Sequence, residues 1–118
     1  MSKIRTVVFY KGYFTGFFKT QSEKVKRKII RTLEILETIE RVPEIYFKHI
    51  EGTNGLYEIR VQQGGNIYRI FCFQQEGKLI ILANGFQKKT QKTPANEIER
   101  ALRIKKEYEQ EKKDADHS

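Results

Sequence analysis

The sequence predicts an α+β domain: a twisted antiparallel sheet of about four strands, with the N-terminal helix or helices packed on one face and a further helix at the C terminus. Three observations support this fold class. Apolar residues recur at helical spacing across residues 25–39, two alternating runs flank the glycine pair at 64–65, and residues 78–86 are almost continuously apolar. Together they predict one long amphipathic helix, one β-hairpin and one strand covered on both faces.

The remaining elements follow in order from local signals. A short strand, RTVVFY, leads into an aromatic turn or short helix. Ser22 is a suitable N-cap for the long helix, which must end before Pro43 because the residue preceding a proline avoids the helical region. Thr93 and Pro94 then supply the N-cap and first residue of the C-terminal helix, which we expect to reach about Lys112.

The length of the chain sets the domain organisation. A chain of 118 residues is large enough to bury one hydrophobic core without disulfides or metal ions. We therefore expect a single domain over residues 1–113 and a disordered tail at 114–118, where the sequence is highly charged.

The hairpin is expected to have one apolar face and one charged face. With the turn at the two glycines, Ile59 lies opposite Ile70 on the apolar face. Arg60 then lies directly opposite Arg69 on the other face, with Glu58 diagonal to Arg69. Like charges placed opposite one another destabilise a sheet, which leaves two interpretations. Either Glu58 neutralises one arginine on an exposed surface, or the two guanidinium groups form a floor that binds a phosphate.

Positive charge is unevenly distributed along the chain. Residues 1–93 contain 17 Lys and Arg against 8 Asp and Glu, whereas residues 94–118 contain 6 against 7. A basic body of this kind predicts an anionic partner, either a nucleic acid or an acidic protein. The first half of the long helix is basic and its second half acidic, which opposes the helix dipole. That pattern is typical of a solvated face with internal ion pairs, or of a basic end that faces an anionic partner.

Several catalytic classes are disfavoured by the residues that the sequence lacks. It has two histidines, His49 and His117, and no nucleophile elbow, so a catalytic triad is not expected. Cys72, the single cysteine, falls on the apolar hairpin face and should be an inert buried thiol. Neither phosphate-binding glycine motif and no Cys/His cluster occurs, so we expect no cofactor and no metal site. The lone cysteine, an opening segment without a cleavage signal and the absence of long apolar runs predict a cytoplasmic protein with no membrane partner.

Lysines are concentrated where the last strand ends. The segment GFQKKTQKTP places Lys88, Lys89 and Lys92 among hydrogen-bonding side chains, and lysines this close repel one another unless an anion lies among them. Cations can catalyse cleavage of a phosphodiester without a metal ion, because they offset charge on the transition state while a lysine of lowered pKa acts as base or acid. RNA suits this chemistry, since its 2′-OH is an internal nucleophile.

Taken together, LYEIRVQQGGNIYRIFCF and IILANGFQKKTQKTPANEIERA resemble the HigB-like, phage-derived branch of the RelE/ParE toxin superfamily, and the resemblance covers essentially the whole chain. It implies a RelE-like fold with an RNA-binding concavity on the sheet face away from the helices. It also implies the toxin of a type II toxin-antitoxin system, acting as an endoribonuclease (mRNA interferase) that cleaves mRNA on the ribosome. The implied protein partner is a helix-turn-helix antitoxin encoded nearby.

The resemblance also implies the site residues. Arg60 and Arg69 match the sheet cations of RelE-like toxins, and Lys88 or Lys89 matches the basic residue after the last strand. These four are the expected catalytic residues. The expected RNA contacts are Glu58, Phe86, Gln87 and Lys92.

Two departures from the family pattern leave the proton-transfer group open. Glu58 stands where relatives often carry a lysine, and residues 90–93 contain no tyrosine where relatives place an aromatic acid or base. Lys88, Lys89 and Glu58 are the candidates for proton transfer. Two alternative functions also remain: a ParE-like toxin that inhibits a topoisomerase by binding, and a nucleic-acid-binding module without catalysis.

Overall fold

The computed structural model describes residues 3–89 and 94–117. The elements are β1 (Thr6–Phe9), α1 (Tyr13–Lys19), α2 (Glu23–Thr38), β2 (Phe47–His49), β3 (Leu56–Gln63), β4 (Asn66–Gln75), β5 (Leu79–Lys88) and α3 (Ala95–Asp116). Within these residues the strands form one sheet of five, in the order β1-β5-β4-β3-β2. The α+β class is confirmed. The sheet has five strands rather than about four, and it is mixed rather than antiparallel because β1 runs parallel to β5.

The additional strand, β2, is a three-residue edge strand that was too short to show alternation in the sequence. It pairs antiparallel with β3, with Phe47 opposite Ile59. The Phe47 and Tyr57 rings stack with centroids 4.8 Å apart, which adds an aromatic contact between the two strands. The parallel pairing of β1 with β5 depends on where the chain returns after five intervening helices and strands, which local pattern does not specify.

The hairpin formed by β3 and β4 has the predicted register. Ile59 lies opposite Ile70, and Arg60 lies opposite Arg69. Gly64 has φ of +62°, a conformation that a tight hairpin turn requires and that glycine adopts without strain. Cys72 is fully buried on the apolar face, where burial raises the pKa of its thiol, as expected of an inert cysteine.

Helices α1 and α2 cover the apolar face of the hairpin. The Ser22 side chain caps α2 as predicted, because it accepts a hydrogen bond from the N–H of Val25 at 3.3 Å. The helix side chains buried against the sheet are Phe14, Val25, Ile29, Leu33 and Leu36. The predicted stripe of α2 is therefore the core-facing side of the helix, which ends at Thr38, ahead of Pro43.

Gly85 permits α1 to lie close to β5. A Cβ atom at this position would stand 2.5 Å from Cδ2 of Phe17, and the ring Cγ would be only 2.8 Å away. Because Cγ is bonded directly to Cβ of Phe17, the ring can move away from Gly85 only if the helix backbone also shifts, which costs stability. The glycine that precedes the lysine segment is thus a packing requirement.

Helix α3 covers part of the opposite face of the sheet. Ala101 and Ile104 are buried there against Leu56, Phe71 and Ala83, forming a second core cluster. The expectation of a face free of helices is therefore wrong where α3 packs on β4 and β5. The helix runs to Asp116, beyond the predicted end near Lys112. None of the described helices is long and apolar enough to cross a membrane.

The start of α3 differs slightly from the prediction. Pro94 is its N-cap and Ala95 its first helical residue. Thr93, the predicted N-cap, lies outside the described residues.

Candidate functional site

A β-bulge in β5 decides which side of the sheet Lys88 faces. Between Ile70 and Cys72 of β4 the register with β5 shifts, so that two residues of β5 lie opposite one residue of β4. Side chains alternate along a strand, and one additional residue reverses the alternation beyond it. With an unbroken register, Lys88 would share the face of Leu82, under α1 and α2. Because of the bulge, Lys88 shares the face of Arg69.

Four charged side chains from β3, β4 and β5 meet on this face of the sheet. Arg60 and Arg69 lie directly opposite one another, and Glu58 is diagonal to Arg69, as predicted. Lys88, at the end of β5, interacts electrostatically with all three. We call Arg60, Arg69, Lys88 and Glu58 the charged cluster. Among the predicted catalytic residues, the structure brings the two arginines and Lys88 together.

Arg69 and Glu58 form a buried ion pair at the centre of the charged cluster. Nη1 of Arg69 lies 2.5 Å from Oε1 of Glu58, and the two residues are 4% and 8% exposed. Both sequence interpretations assumed an accessible Arg69, and in this respect both are wrong. The guanidinium Nε is also buried and has no hydrogen-bond partner among the described residues. Arg69 therefore retains an N–H donor that its neighbours in this part of the chain do not use.

Lys88 has a lowered pKa, and the cause differs from the one expected. Partial burial contributes most, followed by the positive charge of Arg69, with a smaller contribution from Arg60, while Glu58 acts in the opposite direction. The sequence had suggested nearby positive charge as the cause, from Lys89 and from the two arginines, and the arginines do contribute after burial. Lys89 instead lies exposed beyond the end of β5, next to the charged cluster in sequence.

The remaining predicted RNA contacts are not all close to the charged cluster. Phe86 is half-buried and its ring centroid lies 5.2 Å from that of Phe71, so it belongs to the second core cluster. Gln87 alternates to the opposite face and donates a hydrogen bond to the Asn66 side chain at 3.2 Å. Lys92 lies outside the described residues.

Asn84, which was not among the predicted site residues, joins β5 to α3. Its buried side chain donates hydrogen bonds to the Glu97 carbonyl at 3.1 Å and the Glu97 carboxylate at 3.2 Å. This joins β5 to the first turn of α3. A polar amide in an otherwise apolar strand was the available signal, because a buried amide requires a partner.

The arrangement offers positive charge, N–H donors and a lysine with a shifted pKa. A phosphate oxygen can accept bonds from guanidinium groups, and a lysine of lowered pKa gives up its proton more readily. The described residues include no group of three or more His, Cys, Asp or Glu side chains placed to hold a metal ion. The chemistry available to the described residues is therefore binding, charge stabilisation and proton transfer at an anionic group.

The chain matches one known protein family over most of its length. The model of the family described as phage derived protein Gp49-like (DUF891) matches residues 16–106, a range that includes the whole charged cluster. A comparison with curated proteins finds no match. The Gp49-like family belongs to the RelE/ParE-like toxin superfamily, is associated with RelE-like toxins that cleave RNA, and suggests an antitoxin as partner. Since the match covers most of the chain, the protein belongs to the phage-derived Gp49-like family, whose domain is compatible with the toxin of a toxin-antitoxin system.

Proposed function

We propose that this protein is a HigB-like toxin of a type II toxin-antitoxin system and that it cleaves mRNA on the ribosome, in the cytoplasm. The observation that supports the proposal is the convergence of Arg60, Arg69 and Lys88 on one sheet face. Lys88 has a lowered pKa there. A helix-turn-helix antitoxin encoded nearby would neutralise the toxin.

Cleavage uses the 2′-OH of the RNA as nucleophile. The 2′-oxygen loses its proton to solvent and attacks phosphorus, and the bond from phosphorus to the 5′-oxygen breaks, which leaves a 2′,3′-cyclic phosphate and a free 5′-OH. Arg60 binds the phosphate oxygens and offsets the charge of the transition state, and the buried Arg69 adds its positive charge without contacting the RNA. The low exposure of Arg69 and Glu58 strengthens electrostatic interactions with these two side chains.

Lys88 is the acid that protonates the leaving 5′-oxygen. A lysine whose pKa is lowered releases its proton more readily than an ordinary lysine. Glu58, the other candidate for proton transfer, already accepts a hydrogen bond from Arg69. Its role in this mechanism is to orient Arg69. Lys89 and Lys92 would bind neighbouring phosphates.

One observation favours a second function, ParE-like inhibition of a topoisomerase by binding. Glu58 neutralises Arg69, so the site holds less net positive charge than two free arginines would. A toxin that acts by binding alone needs no excess of charge at one phosphate.

Induced expression in a bacterial host, with primer extension on an abundant message, tests the proposal. The informative variants are Lys88→Ala and Arg60→Ala, since both side chains are only partly buried. Lys106→Ala on the exposed side of α3 is the matched control, because it removes the same charge from outside the charged cluster. Arg69→Ala is unsuitable as the primary variant, since it leaves the buried Glu58 carboxylate without its partner.

Growth arrest with new 5′ ends inside translated regions is expected for wild type and Lys106→Ala, and both effects should be lost in the two cluster variants. Arrest without new 5′ ends, accompanied by DNA damage, would instead identify the topoisomerase inhibitor. Cleavage that persists unchanged in Lys88→Ala would remove Lys88 as the acid.

A further inference from the structure

A groove of about 330 Å³ opens at the edge of β3, beside the charged cluster. Strand β2 pairs with β3 only as far as Ile59, and one further bond joins the Arg60 N–H to the Tyr46 carbonyl at 2.9 Å. Beyond that point no strand of the described residues pairs with this side of β3. The groove lies in the space that β2 leaves, and its lining includes Tyr46, Arg60, Gln62 and, from α2, Lys28.

A second groove of about 260 Å³ continues from the first along α2. The two share Lys28, and the second is lined by three more exposed cations, Lys24, Arg27 and Arg31. No carboxylate lines either groove, and no described residue forms an ion pair with these four side chains.

The four cations form one row on α2, which we call the basic row: Lys24, Arg27, Lys28 and Arg31. Positions three and four residues apart share a helix face, and the row extends about 10 Å along the axis at ~1.5 Å per residue. It begins at the positive end of the helix dipole, where cations are disfavoured unless an anion compensates them. Two interpretations of α2 were open: a solvated face with internal ion pairs, or a basic end that faces an anionic partner. The basic row, which is unpaired among the described residues, supports the second.

We infer that the RNA strand flanking the scissile phosphate leaves the charged cluster through the β3-edge groove and continues along the basic row, with one base lying against Tyr46. This inference rests on the proposed function, because Arg60 belongs to both the charged cluster and the groove. The strand would thus pass from one side of the sheet, around the unpaired edge of β3, to α2.

The lining of the two grooves favours single-stranded RNA over an acidic protein. An aromatic ring, an amide and cations within one groove are the groups that hold splayed bases and their phosphates. A protein interface typically has an apolar centre and few lysines there. Apolar side chains line part of the first groove, where Ile45 is exposed, but the second groove is lined by the basic row and Gln63, so the basic row has no apolar centre.

Two matched triple variants test the basic row. Lys24→Gln/Arg27→Gln/Arg31→Gln removes three exposed cations from α2, and Arg103→Gln/Lys106→Gln/Lys113→Gln removes three exposed cations from α3. The probe is a fluorescent 2′-O-methyl RNA of roughly 12 nucleotides, which cannot be cleaved at its blocked 2′-oxygens. Its affinity is measured by anisotropy between about 50 and 200 mM salt.

For the α2 variant we expect RNA affinity to fall about 10- to 100-fold and the slope of log K against log salt to decrease by about 2, since each lost phosphate contact on a single strand removes roughly 0.7. The α3 variant should bind as wild type does. Tyr46→Ala should lose about tenfold in affinity and Tyr46→Phe should lose little, because the phenylalanine ring still stacks.

Each other outcome overturns the inference in a recognisable way. If the α2 variant binds RNA as wild type does while Lys88→Ala still abolishes cleavage, the proposed function stands and the path along α2 is wrong. If the α2 variant keeps RNA binding but loses affinity for the antitoxin, the basic row is a protein-binding surface. If wild type itself binds no RNA and produces no cleavage, the proposed function fails together with the inference.

Discussion

At the residue scale, the buried pair of Arg69 and Glu58 is the feature that most changes the view of the site. Removing two charges from water costs several kcal/mol for each ion, and the cost is offset only when the pair is close and well oriented. The 2.5 Å contact meets that condition. Glu58 therefore orients Arg69 and offsets the cost of burying its positive charge, since the Arg69 side chain is only 5% exposed.

Breaking this pair should be costly, whereas replacing it should not. We expect Arg69→Ala to lower the free energy of unfolding by about 3–5 kcal/mol, because it leaves a buried carboxylate without its partner. The double variant Glu58→Leu/Arg69→Met, which replaces both partners by apolar side chains, should recover most of that loss. Urea titration followed by circular dichroism measures both. Equal destabilisation of the single and double variants would show that Arg69 acts through its packing rather than through the pair.

Lys88 should titrate below the usual lysine range of about 10.4. The pKa of Lys88 is lower in the folded protein than in the unfolded chain, so the unfolded chain keeps this proton to higher pH. As pH increases from the folded pKa to the unfolded pKa, the contribution of Lys88 to the free energy of unfolding therefore rises. Arg60→Gln should move the Lys88 pKa upward, because it removes one positive charge nearby. Lysine-selective NMR measures the shift. Arg103→Gln is the charge-matched control, and an equal effect from it would contradict a local cause.

At the element scale, a network of tyrosines and glutamates attaches the C-terminal half of α3 to the start of α1 and the residues just before it. Tyr13 donates a hydrogen bond to Glu107 at 2.7 Å, and Tyr10 donates one to Glu111. Lys11 lies within 3.3 Å of one carboxylate and 3.1 Å of the other. These contacts explain why a helix with a weak apolar stripe docks on the sheet: its N-terminal half is buried, and polar contacts hold its C-terminal half.

Acid should loosen this docking. Hydrogen bonds from the tyrosines lower the pKa of Glu107 and of Glu111. A lowered carboxylate pKa contributes stability above the usual value of about 4.3, and that contribution is lost as pH falls through the folded pKa. Between pH ~6 and ~3, wild type should lose more thermal stability than Glu107→Gln/Glu111→Gln. Calorimetry across this range, with Glu44→Gln/Glu99→Gln as the control for exposed glutamates, would detect the difference. Parallel curves for all three proteins would argue against the network.

At the scale of the whole molecule, two core clusters share one sheet. Strands β3, β4 and β5 each contribute side chains to both clusters, and α3 contacts β4 and β5. Removal of α3 would expose Phe71 and Leu56, both of which are fully buried. The helix is thus part of the folding unit even though the N-terminal helices lie on the other side of the sheet.

The two clusters should therefore unfold together. Ile104→Ala, in the second cluster, and Ile29→Ala, in the first, should each lower the free energy of unfolding by about 2–5 kcal/mol, and each variant should keep a single transition. Circular dichroism and tyrosine fluorescence recorded on the same denaturant series check this. An early transition seen only in Ile104→Ala would mean that α3 melts separately.

Local sequence pattern was sufficient to predict the helices and strands that have a strong hydrophobic periodicity. The stripe of α2, its Ser22 cap and the hairpin register at Gly64 and Gly65 were all predicted, because each depends on neighbours within a few residues. β2 was missed because three residues show no period. The site was only partly predictable: the residue types of the charged cluster were readable, but the burial of Arg69 depends on packing from elements distant in sequence.

The sequence by itself determined the α+β class, the opposition of Arg60 and Arg69, and the diagonal placement of Glu58, since strand alternation and a two-residue turn leave one register. Only the tertiary structure decided that Lys88 joins the arginines. The bulge in β5 reverses the alternation before Lys88, and a bulge arises from how two strands pair rather than from either strand alone. The burial of the ion pair was decided in the same way, because the surrounding sheet and helices determine the water that Arg69 can reach.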